Sequence, residues 1–438
     1  MEQLYSIFLK HPKVFIDTRN DISEGIFVAV GQKDVNGFHR GNQFAEDAIN
    51  SSKASYAIIN DIELKEKYKH DNRFILVEDG EKTLQDLARF HRHNLTMPVL
   101  AIAGSNGKTT FKELLDAVLS SKYKTFSTKG NLNNHLGVPL SILSIDNSYE
   151  FVILEIGANH LEETRFLAEM ILPDYGIVTN CGKDHLGEYG SVENIIKANK
   201  ELYDVLLETD KGAFVSKNDN ILMNISEGMN NRFFYGKQTP LWAEVIGTPF
   251  LKFKLFFNGN NSDIQTKLFG RYWLDTLLGV SAIGSYFDIS LKSIKKAIEA
   301  YQPAALRSQL VEGQGNKVLL DCYNANPSSM EVFISEIQQS SLKEPKILVL
   351  GEMLELGDYS KAEHQKLIDS IDVRQFEDVI FIGEAFLGLD IPVCTNLRHF
   401  VSRDEAEKYL LSGNYTGKYF FVKGSRDNKL ELLMQVFV

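Results

Sequence analysis

Apolar residues along the chain fall into short continuous runs, separated by stretches in which they recur every three or four positions. Runs of the first kind predict strands buried on both faces, and stretches of the second kind predict amphipathic helices. The pattern is sharpest between Met97 and Lys112, which reads M-P-V-L-A-I-A-G-S-N-G-K-T-T-F-K. Val99 to Ala103 predicts a buried strand, Gly104 to Gly107 a tight turn, and Phe111, Leu114, Leu115 and Val118 a helix that starts from it.

Before this stretch, Ile26 to Val30, Tyr56 to Ile59 and Phe74 to Val77 predict strands of a small mixed α/β unit. A helical pattern over Thr83 to Asn94 closes it, so a first domain of residues 1–92 is expected. After it, strand-like Phe151 to Leu154, Tyr175 to Thr179 and Ala213 to Ser216 alternate with helical Val138 to Ile145, Glu162 to Met170 and Val192 to Leu207. Alternation of this kind predicts a parallel sheet covered by helices, with ligands at the carboxyl ends of its strands. Phe253 to Phe257 and Ile264 to Phe269, flanking N-G-N-N-S-D, predict a hairpin in the same domain. Helices over Trp273 to Tyr286 and Leu291 to Tyr301 bring that domain, residues 93–303, to its end at Pro303. Residues 304–438 again alternate strands (Val318 to Leu320, Ile347 to Leu350, Val379 to Ile382, Tyr419 to Val422) with helices (Met330 to Gln338, His364 to Ile371, Asp404 to Leu411), predicting a smaller doubly wound unit. The fold class expected is α/β in three domains.

The turn at Gly104 carries the clearest chemistry. Glycines let backbone N–H groups close around a phosphate, and the helix that follows offers its positive end. Lys108 adds a point charge and Thr109 a hydroxyl suited to magnesium. Gly104, Ser105, Asn106, Gly107, Lys108, Thr109 and Thr110 are therefore candidate nucleotide-binding residues. The match is to a short G-x-x-G-K-T-T loop, because Ile102 stands where the longer phosphate-loop pattern begins with glycine. A glycine turn followed by a solvated lysine is the alternative reading.

Composition narrows the function. The 438 residues are 44% hydrophobic and 24% charged, which fits a folded globular chain. A formal charge of −11 without clustered Lys and Arg argues against nucleic acid and anionic membrane as partners. Cys181, Cys322 and Cys394 form no C-x-x-C pair, and an odd, scattered set of 3 cysteines fits a reducing cytoplasm. The apolar stretch Tyr5 to Leu9 is too short for a secretory signal, and no run approaches the roughly 18 apolar residues of a membrane span. A cytoplasmic chain without membrane insertion is expected.

Other candidates follow the strands. Glu155 ends an apolar run beside the phosphate-loop strand, where a carboxylate suits either a magnesium ligand opposite Thr109 or a helix-capping acid. His185, in N-C-G-K-D-H, is either a metal or phosphate contact or an ordinary loop histidine. Lys200 alone reads as a surface helix lysine. Asn131, Asn133 and Asn134 in the segment from Gly130 suit a turn or a polar ligand. Asp321, Asn324 and Asn326 leave a strand of the third domain, and Lys423-Gly424-Ser425-Arg426 leaves another.

With these residues assembled the chain resembles the Mur ligase family. The stretches that carry the resemblance are D-T-R at Asp17 to Arg19, G-I-F-V-A-V-G from Gly25, G-S-N-G-K-T-T from Gly104, G-N-L-N-N-H-L-G-V-P from Gly130, E-I-G-A-N-H from Glu155, Y-N-A-N-P from Tyr323, G-E-M-L-E-L-G from Gly351 and V-K-G-S-R from Val422. The asparagine segment and Y-N-A-N-P point to the branch that joins D-alanyl-D-alanine to UDP-N-acetylmuramoyl-tripeptide in peptidoglycan precursor synthesis. The resemblance implies a three-domain architecture with a UDP-sugar-binding first domain, a central phosphate-loop domain that binds ATP and a Rossmann-like third domain. It further implies an acyl phosphate intermediate and catalysis by Lys108, Glu155, His185 and Lys200. Two magnesium ions are implied, one on Thr109 and Glu155, the other on His185 and a carbamylated Lys200. Arg307 and Asp321 would contact the nucleotide. Thr18, Arg19, Asn131, Asn133, Asn134, Asn324 and Asn326 would contact the other substrates. A monomer is expected.

Two departures from the family pattern cluster on the base side of the ATP site. Trp273 and Thr276 stand where the family has asparagines that contact adenine, and Ala305-Leu306-Arg307-Ser308-Gln309 replaces N-N-R-S-Q. They leave open a catalytically weak paralogue that binds a UDP-linked precursor. Another ATP-dependent amide ligase is a further alternative, disfavoured by the first domain.

Overall fold

A computed structural model of the chain describes residues 1–437 apart from Asn20, Asn36 and Asn414. Strands β1 (Val14–Phe15), β2 (Ile26–Val28), β3 (Tyr56–Ile59) and β4 (Phe74–Leu76) form a parallel sheet in sequence order. The helix Gly80–Arg92 follows, capped by Asp79, whose side chain accepts a hydrogen bond from Lys82 N. Leu84, Leu87, Ala88 and His91 form its buried stripe at helical spacing. That stripe joins Phe8, Ile26 and Ile58 to Val99 and Leu154, so one apolar core runs from the first sheet into the second.

The second sheet contains β5 (Val99–Ala103), β6 (Thr125–Ser127), β7 (Phe151–Glu155), β8 (Tyr175–Val178), β9 (Gly212–Ser216) and β10 (Arg232–Tyr235), all parallel, in the order β10-β9-β8-β5-β7-β6. Alternate residues of β5 serve opposite layers. Val99, Ala101 and Ala103 meet the helices Gly137–Leu143 and Val192–Glu208. Leu100 and Ile102 meet the helix Lys108–Leu119. Burial on both faces explains why these strands read as continuous apolar runs. Chain order reverses about β5, which opens a crevice at its carboxyl end.

Strands β11 (Leu241–Gly247), β12 (Phe250–Phe257) and β13 (Asn260–Phe269) make an antiparallel sheet over the second layer. The expected hairpin is present with a tighter turn. Only Asn258 and Gly259 bend, both at positive φ, and Asn260 already pairs with Phe257.

The last sheet holds β14 (Gln309–Gly313), β15 (Asn316–Asp321), β16 (Lys346–Gly351), β17 (Asp378–Ile382), β18 (Leu397–Phe400) and β19 (Tyr419–Lys423), in the order β14-β15-β19-β16-β17-β18. It is parallel except for its edge strand β14. Neighbours β15 and β19 end in Asp321 and Lys423, side by side. The α/β class expected from the sequence is thus the observed one. Among the described residues no helix is long and apolar enough to cross a membrane.

Candidate functional site

The turn after β5 is built as a phosphate loop. Gly104 has φ +126°, and a Cβ there would sit 2.1 Å from Thr179 Oγ1, so only glycine fits. Gly107 (φ +78°) precedes Lys108, the first residue of the helix. The next loop along the sheet braces the turn: Ser105 N donates to Asn180 O at 2.9 Å, Asn106 N to Asn180 Oδ1 at 3.1 Å, and Thr179 Oγ1 to Asn106 O at 2.8 Å. Lys108 folds back on the loop, its ammonium donating to Gly104 O and, at 3.2 Å, to Ser105 O.

Glu155, at the end of neighbouring β7, is buried beneath the loop. Thr109 Oγ1 donates to its Oε1 at 3.1 Å and Asn133 Nδ2 to the same oxygen at 2.9 Å. Its Oε2 is buried without a hydrogen bond and lies 3.4 Å from Lys112 Nζ. A hydroxyl beside a carboxylate with a free oxygen is a donor set that fits a hard divalent cation. Asn133 is further fixed by Gly157 N, which donates to its carbonyl at 2.8 Å. Asn134 spends its side-chain oxygen on the start of the helix Gly137–Leu143, accepting from Gly137 N at 2.9 Å.

The third sheet supplies the opposite wall. Asp321 accepts from Ser308 N at 3.1 Å and from Lys423 Nζ at 2.6 Å, so the buried lysine that ends β19 serves an ion pair with a half-buried aspartate. The Arg307 guanidinium lies 3.6 Å from the Tyr323 ring centroid. Asn324 accepts from Ala325 N at 2.8 Å. Asn326 caps the helix Pro327–Gln339 and donates to Asn106 Oδ1 at 2.8 Å, joining this wall to the phosphate loop. Lys183 N donates to Ser328 Oγ at 2.9 Å, and Tyr359 OH to Gly190 O at 2.6 Å. His185 Nδ1 lies 2.8 Å from Glu355 Oε2. Burial opposes a charge on His185, but the Glu355 carboxylate outweighs it and raises the histidine pKa, while the same contact lowers that of Glu355.

These elements enclose a cleft of about 850 Å³ lined by Ser105 to Thr110, Asn131, Asn133, Asn134, Glu155, His185, Arg307, Asp321 and Asn324. Trp273 and Thr276 line it beside Gly107, the indole lying 3.4 Å from where a Gly107 Cβ would be. Cys181 lines it too, its thiol pushed up to about 12 by burial and so protonated at neutral pH.

Three candidates stand elsewhere. Lys200 pairs with Asp204 on its own helix and does not line the cleft. With His185 turned to Glu355, a second cation site is not assembled, and no group of 3 or more His, Cys, Asp or Glu able to hold a metal occurs among the described residues. Thr18 and the exposed Arg19 follow β1 in the first sheet, where Arg19 pairs with Asp17 at 2.6 Å. Sequence reasoning passed over Lys112 and Glu355. Lys112 is marked only by its spacing of one turn from Lys108, and Glu355 only by its place in G-E-M-L-E-L-G, which names no role for it.

The family model of the Mur ligase middle domain matches residues 102–284, and that of the Mur ligase glutamate ligase domain matches residues 306–426. A UDP-N-acetylmuramoyl-tripeptide–D-alanyl-D-alanine ligase of Treponema pallidum is 30% identical over 438 aligned positions, covering 96% of this chain and 92% of that one. The crystal structure of MurF from Acinetobacter baumannii superposes with a TM-score of 0.84 at 26% identity, covering 99% of this chain and 97% of the other. A MurF ligase from Thermotoga maritima in complex with ADP shares the fold, with a TM-score of 0.84 at 22% identity over 98% and 97% of the two chains.

Proposed function

The chain belongs to the Mur ligase family, among the UDP-N-acetylmuramoyl-tripeptide–D-alanyl-D-alanine ligases, and we propose that its cleft performs that ligation as follows. The chain is an ATP-dependent ligase of peptidoglycan precursor synthesis. The observation that carries the assignment to this cleft is the meeting of the phosphate loop, Glu155 and the asparagine segment with Arg307, Asp321 and Asn324 across one cavity, joined by the bond from Asn326 to Asn106.

ATP enters with its phosphates on the N–H groups of residues 104–110 and on Lys108, which exchanges the loop carbonyls for phosphate oxygens. Arg307 and Asp321 reach the nucleotide from the third sheet. The terminal carboxylate of the UDP-linked tripeptide, held by Asn131 and Asn133, attacks the γ-phosphorus, and the bond to ADP breaks. The amine of D-alanyl-D-alanine then attacks the acyl carbon, loses a proton, and inorganic phosphate leaves with the C–O electron pair. Lys108 lowers both barriers by offsetting charge on the transferring group. Thr109 and Glu155 would hold a magnesium ion, which supplies further charge neutralisation when bound.

A carbamate on Lys200 would, with His185, form the second cation site once both exchange their present partners. A carbamate signal from protein equilibrated with ¹³C-bicarbonate, lost in Lys200→Ala, tests it. Residues 1–92 we assign to the UDP-sugar, 93–303 to ATP and 304–438 to closure over the nucleotide, in a monomeric cytoplasmic protein.

Phosphate release by the purified chain, with ATP, magnesium, the UDP-linked tripeptide and D-alanyl-D-alanine, each omitted in turn, is the test. Release that needs every substrate supports the ligase. Silence at saturating ATP with precursor binding intact would instead favour a binding paralogue and point to Trp273 and Thr276.

A further inference from the structure

Lys112 lies one turn beyond Lys108 on the same helix, its side chain 4% exposed. Its ammonium stands 3.4 Å from Glu155 Oε2 and 3.5 Å from Gly130 O, and nothing closer reaches it among the described residues. A buried ammonium has 3 protons to place and is costly when they go unused. Glu155 has the complementary arrangement, with both of its side-chain hydrogen bonds on Oε1 and with Lys112 as the charge beside the unbonded Oε2.

Two physical consequences follow. The lysine and the carboxylate together carry no net charge, so a divalent cation arriving alone gains little there, whereas one arriving with phosphate oxygens brings its own attraction. In addition, Gly130 opens the segment whose Asn133 holds the same carboxylate, so Lys112 links that segment to Glu155 from below.

We propose that Lys112 is a positioning residue that makes cation binding at Glu155 depend on the nucleotide and anchors residues 130–134 against that carboxylate. The proposal rests on the reading of Glu155 as a cation ligand.

Manganese binding to the full chain, followed by the paramagnetic signal of free Mn²⁺ with and without ADP, tests it together with the KM for the UDP-linked tripeptide. Lys112→Met is expected to bind Mn²⁺ about tenfold more tightly than the parent chain in the absence of ADP, since a like charge next to the site is gone. It should also raise that KM several-fold, and Lys112→Arg should restore both values. Lys112→Gln gives the same reading if the methionine variant does not melt cooperatively. Nucleotide-free Mn²⁺ affinity unchanged in the methionine or glutamine variant overturns the proposal. Glu155→Gln separates the two ideas. If it leaves Mn²⁺–ADP binding intact, Glu155 is no ligand and both fall; if it abolishes binding while the Lys112 variants match the parent, this proposal alone falls.

Discussion

Asn326 donates its side-chain amide to Asn106 Oδ1 at 2.8 Å, so a helix cap of the third sheet is also a contact to the phosphate loop. The same oxygen that caps the helix, accepting from Ser329 N at 2.9 Å, leaves the amide free for this second task. Serine caps a helix as well as asparagine but is too short to cross the cleft. Asn326→Ser is therefore expected to keep the melting temperature within about 2 °C while lowering kcat/KM for ATP about fivefold, the worth of one hydrogen bond near 1 kcal/mol. Equal kinetics in the two proteins would show that this contact does not help close the cleft.

Trp273 offers a ring beside Gly107, at a position where the resemblance to Mur ligases implies an asparagine that contacts adenine. An indole wall beside Gly107 contacts a purine by area and stacking, without a demand on the pattern of donors and acceptors. Trp273→Ala should raise the KM for ATP about tenfold with little change in kcat, because the ring acts on bound and activated nucleotide alike. GTP should be used within about an order of magnitude of ATP, since stacking on a ring is sensitive to area and not to the pattern of donors and acceptors. Initial rates over nucleotide concentration decide both points, and a strict preference for ATP would assign base reading to another group.

Much of this site could be read from the chain because it is local. The loop from Gly104, its strand and its helix lie within 21 consecutive residues, 99–119, and both strand faces are buried, which leaves an unmistakable apolar run. The third sheet's β15, β16, β17 and β19 were legible for the same reason. The edge strands β6, β10, β14 and β18 were not. Each is half solvated and mixes polar with apolar residues, so neither the run nor the alternation stands out. Contacts between residues far apart in the chain were equally silent: nothing near Glu355 foretells His185, and Lys423 reads as the start of a basic turn until Asp321 is placed beside it on the neighbouring strand. The fate of Lys200 shows the other limit, since a helix position does not say which neighbour the long side chain will choose.

Gly104 turns a local reading into a stability prediction. Alanine there would adopt a positive φ and drive its Cβ against Thr179 Oγ1 and the Thr179 amide, at 2.1 and 2.7 Å. Relief requires moving β8's loop, which also braces Ser105 and Asn106. Gly104→Ala is expected to cost about 3 kcal/mol of stability and most nucleotide affinity. Chemical denaturation and ADP titration measure the two losses, and a loss of affinity without destabilisation would mean the loop adapts at no cost.

The His185 and Glu355 pair predicts a pH dependence of the contact between the second and third sheets. His185 has a pKa raised above 6.5, so its contribution is complete below that value and is lost as pH rises through the folded pKa. Glu355 has one lowered below 4.5, so its contribution is complete above that value and is lost as pH falls through the folded pKa. The pair therefore stabilises most between pH 4.5 and 6.5 and least under alkaline conditions. Replacing His185 by glutamine removes the ion pair at every pH, so the loss in melting temperature should be largest inside that window and shrink toward alkaline pH as the parent histidine loses its proton. Melting curves of the nucleotide-free chain across that range, parent and His185→Gln side by side, measure the difference. A difference that stays constant with pH would show that the histidine is held as a neutral hydrogen-bonding group and that no charge joins the two sheets there.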